Sequence, residues 1–213
     1  MLALVLAGAA GAHHHGSDYQ HGEEHREAPF DYYILSLSWS PTFCATHPGD
    51  AAECGKGRGF IVHGLWPQAF AGGGPEHCDS GDQPDRETMQ RALSAMVDEH
   101  LVRHEWATHG TCTGLSAHDY FVSLIRAAGS LTFPDDLDGS RMRRLSAGDI
   151  ASEMLRANPQ LPPRSLAVRC KGEEFEELRV CFSPDLKPTA CGNGVHTQCR
   201  KSPLLLRAAK RTE

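Results

Sequence analysis

The sequence has no pair of cysteines in the close Cys-x-x-Cys spacing that structural zinc sites favour. It is nevertheless rich in cysteine, with 8 cysteines in 213 residues. An even number of widely spaced cysteines behind an apolar start is typical of a disulfide framework in an oxidising compartment. We therefore predict that all are paired: Cys44, Cys54, Cys78, Cys112, Cys170, Cys181, Cys191 and Cys199.

Long hydrophobic runs and an excess of positive charge are also absent. No stretch after the first twelve residues is apolar enough to span a bilayer, so no membrane helix is predicted. The formal net charge is −6 at pH 7, with 13 histidines counted as neutral. This balance excludes a strongly basic nucleic-acid binder at neutral pH. Because histidine titrates between pH 7 and pH 5, the surface potential can reverse in that range.

Composition divides the chain into three segments. Residues 1–12 resemble the apolar end of a secretory signal, although the preceding basic residues are missing, and a buried N-terminal helix is the alternative. Residues 13–28 are polar and histidine-rich, which predicts a mobile N-terminus, with a weak metal-binding tail as the alternative. Residues 29–213 contain no linker or repeat and are predicted to form a single domain.

Periodicity in that domain predicts strands, then helices, then strands. Strand patterns occur at 30–39 and at 59–66, where Pro67 should end the strand and leave His63 near its end. A loop at 44–54 separates these two strands. Helices are predicted at 85–101, 117–129 and about 150–156, with a solvated basic loop at 141–144 before the last of them, and strands at 165–170 and 178–183. This order favours an α+β fold with a mainly antiparallel sheet.

The segment HEWATHGTC, residues 104–112, superficially resembles a zinc-protease helix. Zinc binding there needs histidines at i and i+4, whereas His104 and His109 are five residues apart. Five residues turn a helix by about 500°, so the two rings would point roughly 140° apart. Glu105 and His109 are at i and i+4, a spacing that suits a carboxylate holding a protonated imidazole. The segment therefore predicts an acid–base histidine rather than a metal ligand.

A second histidine lies in the segment FIVHGLWPQ, residues 60–68. A strand that presents His63 beside Trp66 would place an imidazole next to a surface on which a nucleobase can stack. Two histidines are the minimum for metal-free RNA cleavage: one takes the 2′-hydroxyl proton and the other protonates the departing 5′ oxygen. The chemistry requires the 2′-hydroxyl, so DNA is excluded as a substrate.

Together the two segments resemble the two active-site signatures of the ribonuclease T2 family, the transferase-type acid ribonucleases. The stretches LSLSWSPTFC and VCFSPDLKPTAC also match, and the resemblance covers about residues 30–199. It implies an antiparallel sheet with flanking helices. It also implies cleavage of single-stranded RNA through a 2′,3′-cyclic phosphate, with little base preference, without metal or other cofactor, and best at acidic pH.

The resemblance also implies residue roles. His63 and His109 would be the acid–base pair, without an indication of which is the base, and Glu105 would assist at the phosphate. The implied substrate-binding positions are His104 at a phosphate, Trp66 on a base, Gln68 and Thr108. The implied disulfides are Cys44–Cys54, Cys78–Cys112, Cys170–Cys199 and Cys181–Cys191.

Two positions depart from the family pattern. Thr108 stands where a lysine is common, and losing an ammonium removes one source of transition-state stabilisation, so we predict reduced rather than abolished activity. Gln68 stands where an acidic or amide residue is frequent; because an amide both donates and accepts, it indicates no base preference.

The sequence thus predicts a secreted or periplasmic endoribonuclease that acts as a monomer on single-stranded RNA, with no DNA and no membrane partner. The alternative is a secreted binding or cytotoxic protein on the same scaffold, with catalysis weakened at Thr108. A third hypothesis, a metal-binding protein, rests on the histidines at 13–15.

Overall fold

A computed structural model describes residues 30–79 and 81–211. The predicted N-terminal segments 1–12 and 13–28 lie outside these residues. The strands are β1 (Tyr32–Trp39), β2 (Phe60–Gln68), β3 (Arg143–Leu145), β4 (Leu166–Lys171), β5 (Glu174–Phe182) and β6 (Leu204–Leu206). The α-helices are α1 (Ser40–Thr46), α2 (Arg86–Ala92), α3 (Glu99–Thr108), α4 (Ala117–Gly129) and α5 (Ala147–Ala157).

The strands form one six-stranded sheet in the order β2-β1-β5-β6-β3, with β4 paired to β5. The β1–β2, β1–β5, β4–β5 and β3–β6 pairs are antiparallel, and only the short β5–β6 contact is parallel. The helices flank this sheet, which confirms the predicted α+β fold class.

One face of the sheet carries the main hydrophobic core. The alternate residues Tyr33, Leu35, Leu37 and Trp39 of β1 are at most 2% exposed and belong to the same cluster as the buried side of α4. The intervening positions point to the other side because side chains alternate along a strand. There Ser36 pairs with Arg179, and Ser38 pairs with Glu177. We call the surface formed by Ser36, Ser38, Glu177 and Arg179 the polar face.

The prediction that Pro67 ends the second strand is wrong. Strand β2 continues through Pro67, opposite Tyr33, to Gln68. It is an edge strand paired only with β1, and an edge strand tolerates proline because one of its sides has no hydrogen-bond ladder to complete. His63 consequently lies within the strand and not at its end.

The single helix predicted at 85–101 is two helices, α2 and α3. Asp98 separates them with an extended backbone, φ −158° and ψ 170°, and its side chain accepts a hydrogen bond of 2.7 Å from the Leu101 N–H. This N-cap begins a new helix, α3, which carries the first part of the HEWATHGTC segment. The apolar periodicity continued across the break and concealed it.

Two predicted loops contain regular structure. Helix α1 enters the 44–54 segment, with a proline in its first turn. Within the basic run 141–144, Arg143 begins strand β3, and Arg141 and Arg143 both pair with Asp136. The basic charge of this run is therefore partly neutralised inside the fold.

Four disulfides connect the elements: Cys44–Cys54, Cys78–Cys112, Cys170–Cys199 and Cys181–Cys191. These are the pairs that the family resemblance implies. Within the described ranges no helix combines the length and the apolarity that crossing a membrane requires.

Candidate active site

His63 is presented by an irregularity in β2. Ser36 of β1 pairs with Gly64, whereas the next residue, Leu37, pairs with Val62, so His63 is the extra residue of a β-bulge. Bulges re-aim a side chain next to functional sites. The His63 Nδ1 atom lies 3.0 Å from Ser38 Oγ, and its Nε2 atom lies 3.3 Å from Glu105 Oε1. The ring is thus held at both nitrogens while 38% of the side chain remains exposed.

Glu105 reaches this strand from α3 and is fully buried. Its Oε2 atom accepts a 2.7 Å hydrogen bond from Trp66 Nε1. A Cβ atom at position 64 would lie 1.9 Å from Oε2 and 2.5 Å from Trp66 Nε1. Only glycine leaves room at that position. The glycine of the HGLW motif therefore allows the Glu105 carboxylate to approach strand β2.

His109 stands at the end of α3. It is the C-cap residue, its N–H donates to the Glu105 carbonyl at 3.0 Å, and only 8% of it is exposed. Its buried Nδ1 atom has no hydrogen-bond partner within the described residues. The expected contact between the Glu105 carboxylate and this ring is not formed, because both carboxylate oxygens face His63 and Trp66.

The indole of Trp66 is close to both histidines. Its ring centroid is 5.7 Å from that of His63 and 5.2 Å from that of His109. The Arg179 Cζ atom lies over the same ring, 5.1 Å from its centroid. Trp66 is partly buried and its N–H is already donated to Glu105, so this side chain supports the site whatever else it contacts.

The environments of the two histidines shift their pKa values in opposite directions. Burial disfavours the charged form of His63, but the hydrogen bond and charge of Glu105, aided by Glu177 and Glu53, outweigh it and raise its pKa. Burial lowers the pKa of His109 and outweighs the charges of Glu105 and Glu76, which raise it, while the neighbouring His104 and His63 add to the lowering. At one pH, therefore, His63 favours the protonated form and His109 the neutral form.

The remaining predicted positions surround this centre. His104 is exposed on α3, and its charge acts on His109. Thr108 is buried, and its carbonyl accepts a 2.7 Å hydrogen bond from the His77 N–H. Gln68 ends β2 and donates from Nε2 to the Pro67 carbonyl at 2.8 Å. His104 and Thr108 lie on α3, which also carries Glu105, and Gln68 lies on β2, which also carries His63.

Sequence reasoning missed the supporting residues Ser38, Gly64 and Arg179. Ser38 and Arg179 occupy the polar positions of strands whose apolar positions had been identified, so the alternation was the signal that could have found them. Their closeness to His63 and Trp66 depends on the register of β5 against β1, which a single sequence does not reveal.

A cavity of about 420 Å³ opens beside His63. Acidic side chains line part of it, among them Asp50, Glu53 and Glu177, and it continues to Leu101 on α3. Glu53 is only 5% exposed, and burial raises its pKa. In the described part of the chain, no three His, Cys, Asp or Glu side chains are grouped so that they could hold a metal ion.

A bulged strand and a helix end bring two histidines, whose pKa values are shifted in opposite directions, close to one indole. In comparison with known proteins, the model of the ribonuclease T2 family matches residues 30–191. The chain belongs to the ribonuclease T2 family.

Curated relatives carry ribonuclease names. The chain is similar to a ribonuclease of Aeromonas hydrophila, with 45% identity over 43% of this chain and 41% of that protein. It is also similar to a probable ribonuclease of Haemophilus influenzae, with 34% identity over 80% of this chain and 64% of that protein. The matched regions thus span less than two thirds of these relatives' lengths.

Solved structures share the fold. An RNase-related protein from Calystegia sepium has a TM-score of 0.66 and 22% identity, covering 83% of this chain and 98% of its own. Trichomaglin, described as an S-like ribonuclease, has a TM-score of 0.61 and 21% identity, covering 83% and 98%. RNase NT in complex with 5′-AMP has a TM-score of 0.58 and 18% identity, covering 84% and 98%.

Proposed function

We propose that this chain is a metal-independent endoribonuclease that cleaves single-stranded RNA by attack of the 2′-hydroxyl on the adjacent phosphorus, releasing a 2′,3′-cyclic phosphate end. The observation that carries the proposal is the pair of histidines, His63 and His109, whose rings both lie within 6 Å of the Trp66 ring and whose pKa values are shifted in opposite directions. Family membership and the ribonuclease names of the relatives support it.

The directions of the two shifts support one assignment of the acid and the base. Groups whose environments push their pKa values apart take opposite roles in proton transfer. His109, with its lowered pKa, is neutral and removes the proton from the 2′-hydroxyl. His63, with its raised pKa, is protonated and gives a proton to the departing 5′ oxygen. Glu105 stabilises the imidazolium of His63 and, through the Trp66 N–H, fixes the indole beside it.

The surrounding residues suit an RNA strand. The exposed His104 is placed to contact a phosphate, and the cavity beside His63 offers room for a base. Trp66 and Gln68, on one edge strand, are the proposed contacts for a second base. RNase NT binds 5′-AMP, which supports a nucleotide site in this fold. DNA lacks the attacking hydroxyl and is not a substrate.

We also propose that the protein works as a secreted or periplasmic monomer with a single catalytic domain, residues 29–213. Its four disulfides support an oxidising compartment. Segments 1–12 and 13–28 are proposed as the remainder of a secretory signal and a mobile tail.

The test is digestion of a defined single-stranded RNA at acidic pH in the presence of EDTA, with analysis of the product ends. Wild-type protein should yield 2′,3′-cyclic phosphate ends. His109→Ala should abolish cleavage, and His118→Ala, at an exposed histidine of α4, should not. Loss of cleavage in EDTA would refute the metal-free mechanism. No cleavage by folded, oxidised protein would favour a binding or cytotoxic protein on this scaffold, with Thr108 as the cause.

A further inference from the structure

The proposed reaction places negative charge on the phosphoryl oxygens, and a nearby cation stabilises that charge. Position 108, directly before His109, is an uncharged and buried threonine. Position 108 therefore supplies no positive charge, and a cation on another element can take that role beside His104. Arg179 of β5 has the required position.

Arg179 lies on the same side of the sheet as Trp66. It pairs with Ser36, which pairs in turn with Gly64, and Trp66 is two residues further along the same strand. Residues two apart on a strand share a face. The guanidinium accordingly stands over the Trp66 ring at 5.1 Å, and that ring is within 6 Å of both histidine rings.

The hydrogen bonds of Arg179 leave its outer edge open. Nε donates to Glu177 Oε1 at 2.6 Å, and Glu177 is itself held by Ser36 Oγ at 3.0 Å. The two terminal nitrogens have no hydrogen-bond or ion-pair partner within residues 30–79 and 81–211. The side chain is 23% exposed, so a polar ligand can reach those nitrogens. A guanidinium with a fixed Nε and two free terminal nitrogens is suited to bidentate contact with a phosphate.

We propose that Arg179 binds a non-bridging oxygen of the scissile phosphate and supplies the positive charge that Thr108 lacks. The inference rests on the proposed function. Glu177 and the Trp66 ring hold the guanidinium in place, so that little side-chain freedom is lost when the phosphate arrives.

The first test uses a dinucleoside monophosphate, which contains a single phosphate. Arg179→Gln should lower kcat/KM by about 10- to 100-fold, and Arg179→Lys should lose less, because it retains the charge without the planar fork. The matched control is Arg169→Gln, a partly buried arginine one strand further on, in β4, whose terminal nitrogen donates to Gln198. Its kcat/KM should stay within about twofold of wild type, since its hydrogen bond goes to Gln198 and not to a residue of the proposed centre.

A second test separates phosphate binding from an effect on the shape of the site. If Arg179 acts only by packing on Trp66, Arg179→Gln should move the pH limbs that His63 and His109 set. If Arg179 contacts the phosphate, the limbs should remain and the rate should fall across the whole range. In a Thr108→Lys background, Arg179→Gln should cost clearly less, because the introduced ammonium supplies the charge.

Binding of adenosine 3′-monophosphate, measured by calorimetry, gives a readout that does not need turnover. Arg179→Gln should weaken it about tenfold or more, and Arg169→Gln should not. Equal affinity and equal dinucleotide cleavage in wild type and Arg179→Gln would overturn the inference. A wild-type protein that binds the nucleotide through Arg179 but cleaves no RNA would instead refute the proposed function alone.

Discussion

At the scale of single residues, the absence of a side chain at Gly64 leaves the space that Glu105 occupies. A methyl group there would overlap Oε2 and Cδ of Glu105, at 1.9 and 2.7 Å, both on a buried carboxylate. Gly64→Ala should therefore displace Glu105, lower the free energy of unfolding by about 1–3 kcal/mol, and strongly reduce RNA cleavage. Urea denaturation and kcat/KM would measure the two effects.

The control is Gly129→Ala, at the last residue of α4. No atom outside its own chain neighbours and helix backbone lies within 4 Å of the added Cβ, and alanine favours helix. It should leave activity unchanged and stability equal or slightly higher. If Gly64→Ala behaved like Gly129→Ala, the close approach of Glu105 to β2 would not exist in solution.

Glu105 sets the pH range of the proposed acid. Its carboxylate raises the pKa of His63, so Glu105→Gln should lower that pKa. His63 must be protonated to act as the acid, and the alkaline limb of the kcat/KM profile should accordingly move to lower pH. The acid limb, set by His109, should also move to lower pH, because the charge of Glu105 raises the pKa of His109 as well.

Glu99→Gln is the matched variant for that profile, because Glu99 lies on the same helix in an exposed pair with Arg103. Its pH profile should match that of wild type. An unmoved alkaline limb in Glu105→Gln would assign the limb to a group other than His63.

At the scale of elements, periodicity identified the elements that direct a regular set of apolar residues to the main core. Strand β1 and helix α4 are of this kind, with Ser116 capping the helix as its sequence indicates. The break between α2 and α3 was missed because the apolar periodicity continues across residues 93–98, which separate the two helices. Strand β2 was shortened because proline's effect depends on whether a strand lies at an edge, and strand order is set by tertiary contacts.

The candidate site shows the same contrast between what the sequence pattern predicts and what tertiary contacts decide. The motifs were sufficient to single out His63, Glu105 and His109, since their residue types and spacing carry the chemistry. That the Glu105 carboxylate faces His63, and not His109, follows from the way α3 crosses β2 and from the helix ending at His109. The i, i+4 spacing rule assumes that both residues lie within a helix, whereas His109 is the residue at which α3 ends.

The Cys78–Cys112 disulfide closes 34 residues and lies three residues after His109, whereas Cys44–Cys54 closes 10. Loop-closure entropy predicts that replacing the cysteines of the longer loop by alanine costs about 4 kcal/mol of stability, against about 3 for the shorter loop. Denaturant titration of both double variants would measure this difference.

The Cys78/Cys112 variant should also lose activity while still folded, because the turn that carries His109 is no longer anchored. Full activity in that variant would contradict the anchoring role.

At the scale of the whole molecule, the formal net charge of the chain predicts that RNA binding depends on pH. Charging all 13 histidines would change the formal net charge from −6 to +7. RNA affinity of the non-cleaving His109→Ala protein should therefore increase between pH 7 and pH 5, by about tenfold or more at low salt. Filter binding at two salt concentrations would test this, since an electrostatic gain must shrink as salt rises. Affinity independent of pH would assign binding to uncharged contacts.

The Cys78–Cys112 bond has a consequence for the cell that makes this protein. An enzyme that degrades RNA endangers the messages from which it is translated. In a reducing compartment the two cysteines remain thiols. His77, next to Cys78, and Thr108, next to His109, are then joined by a backbone hydrogen bond without the neighbouring covalent link. Under the proposed function, we expect the chain to spare its producer's transcripts while these cysteines stay reduced, and to become destructive once they are oxidised.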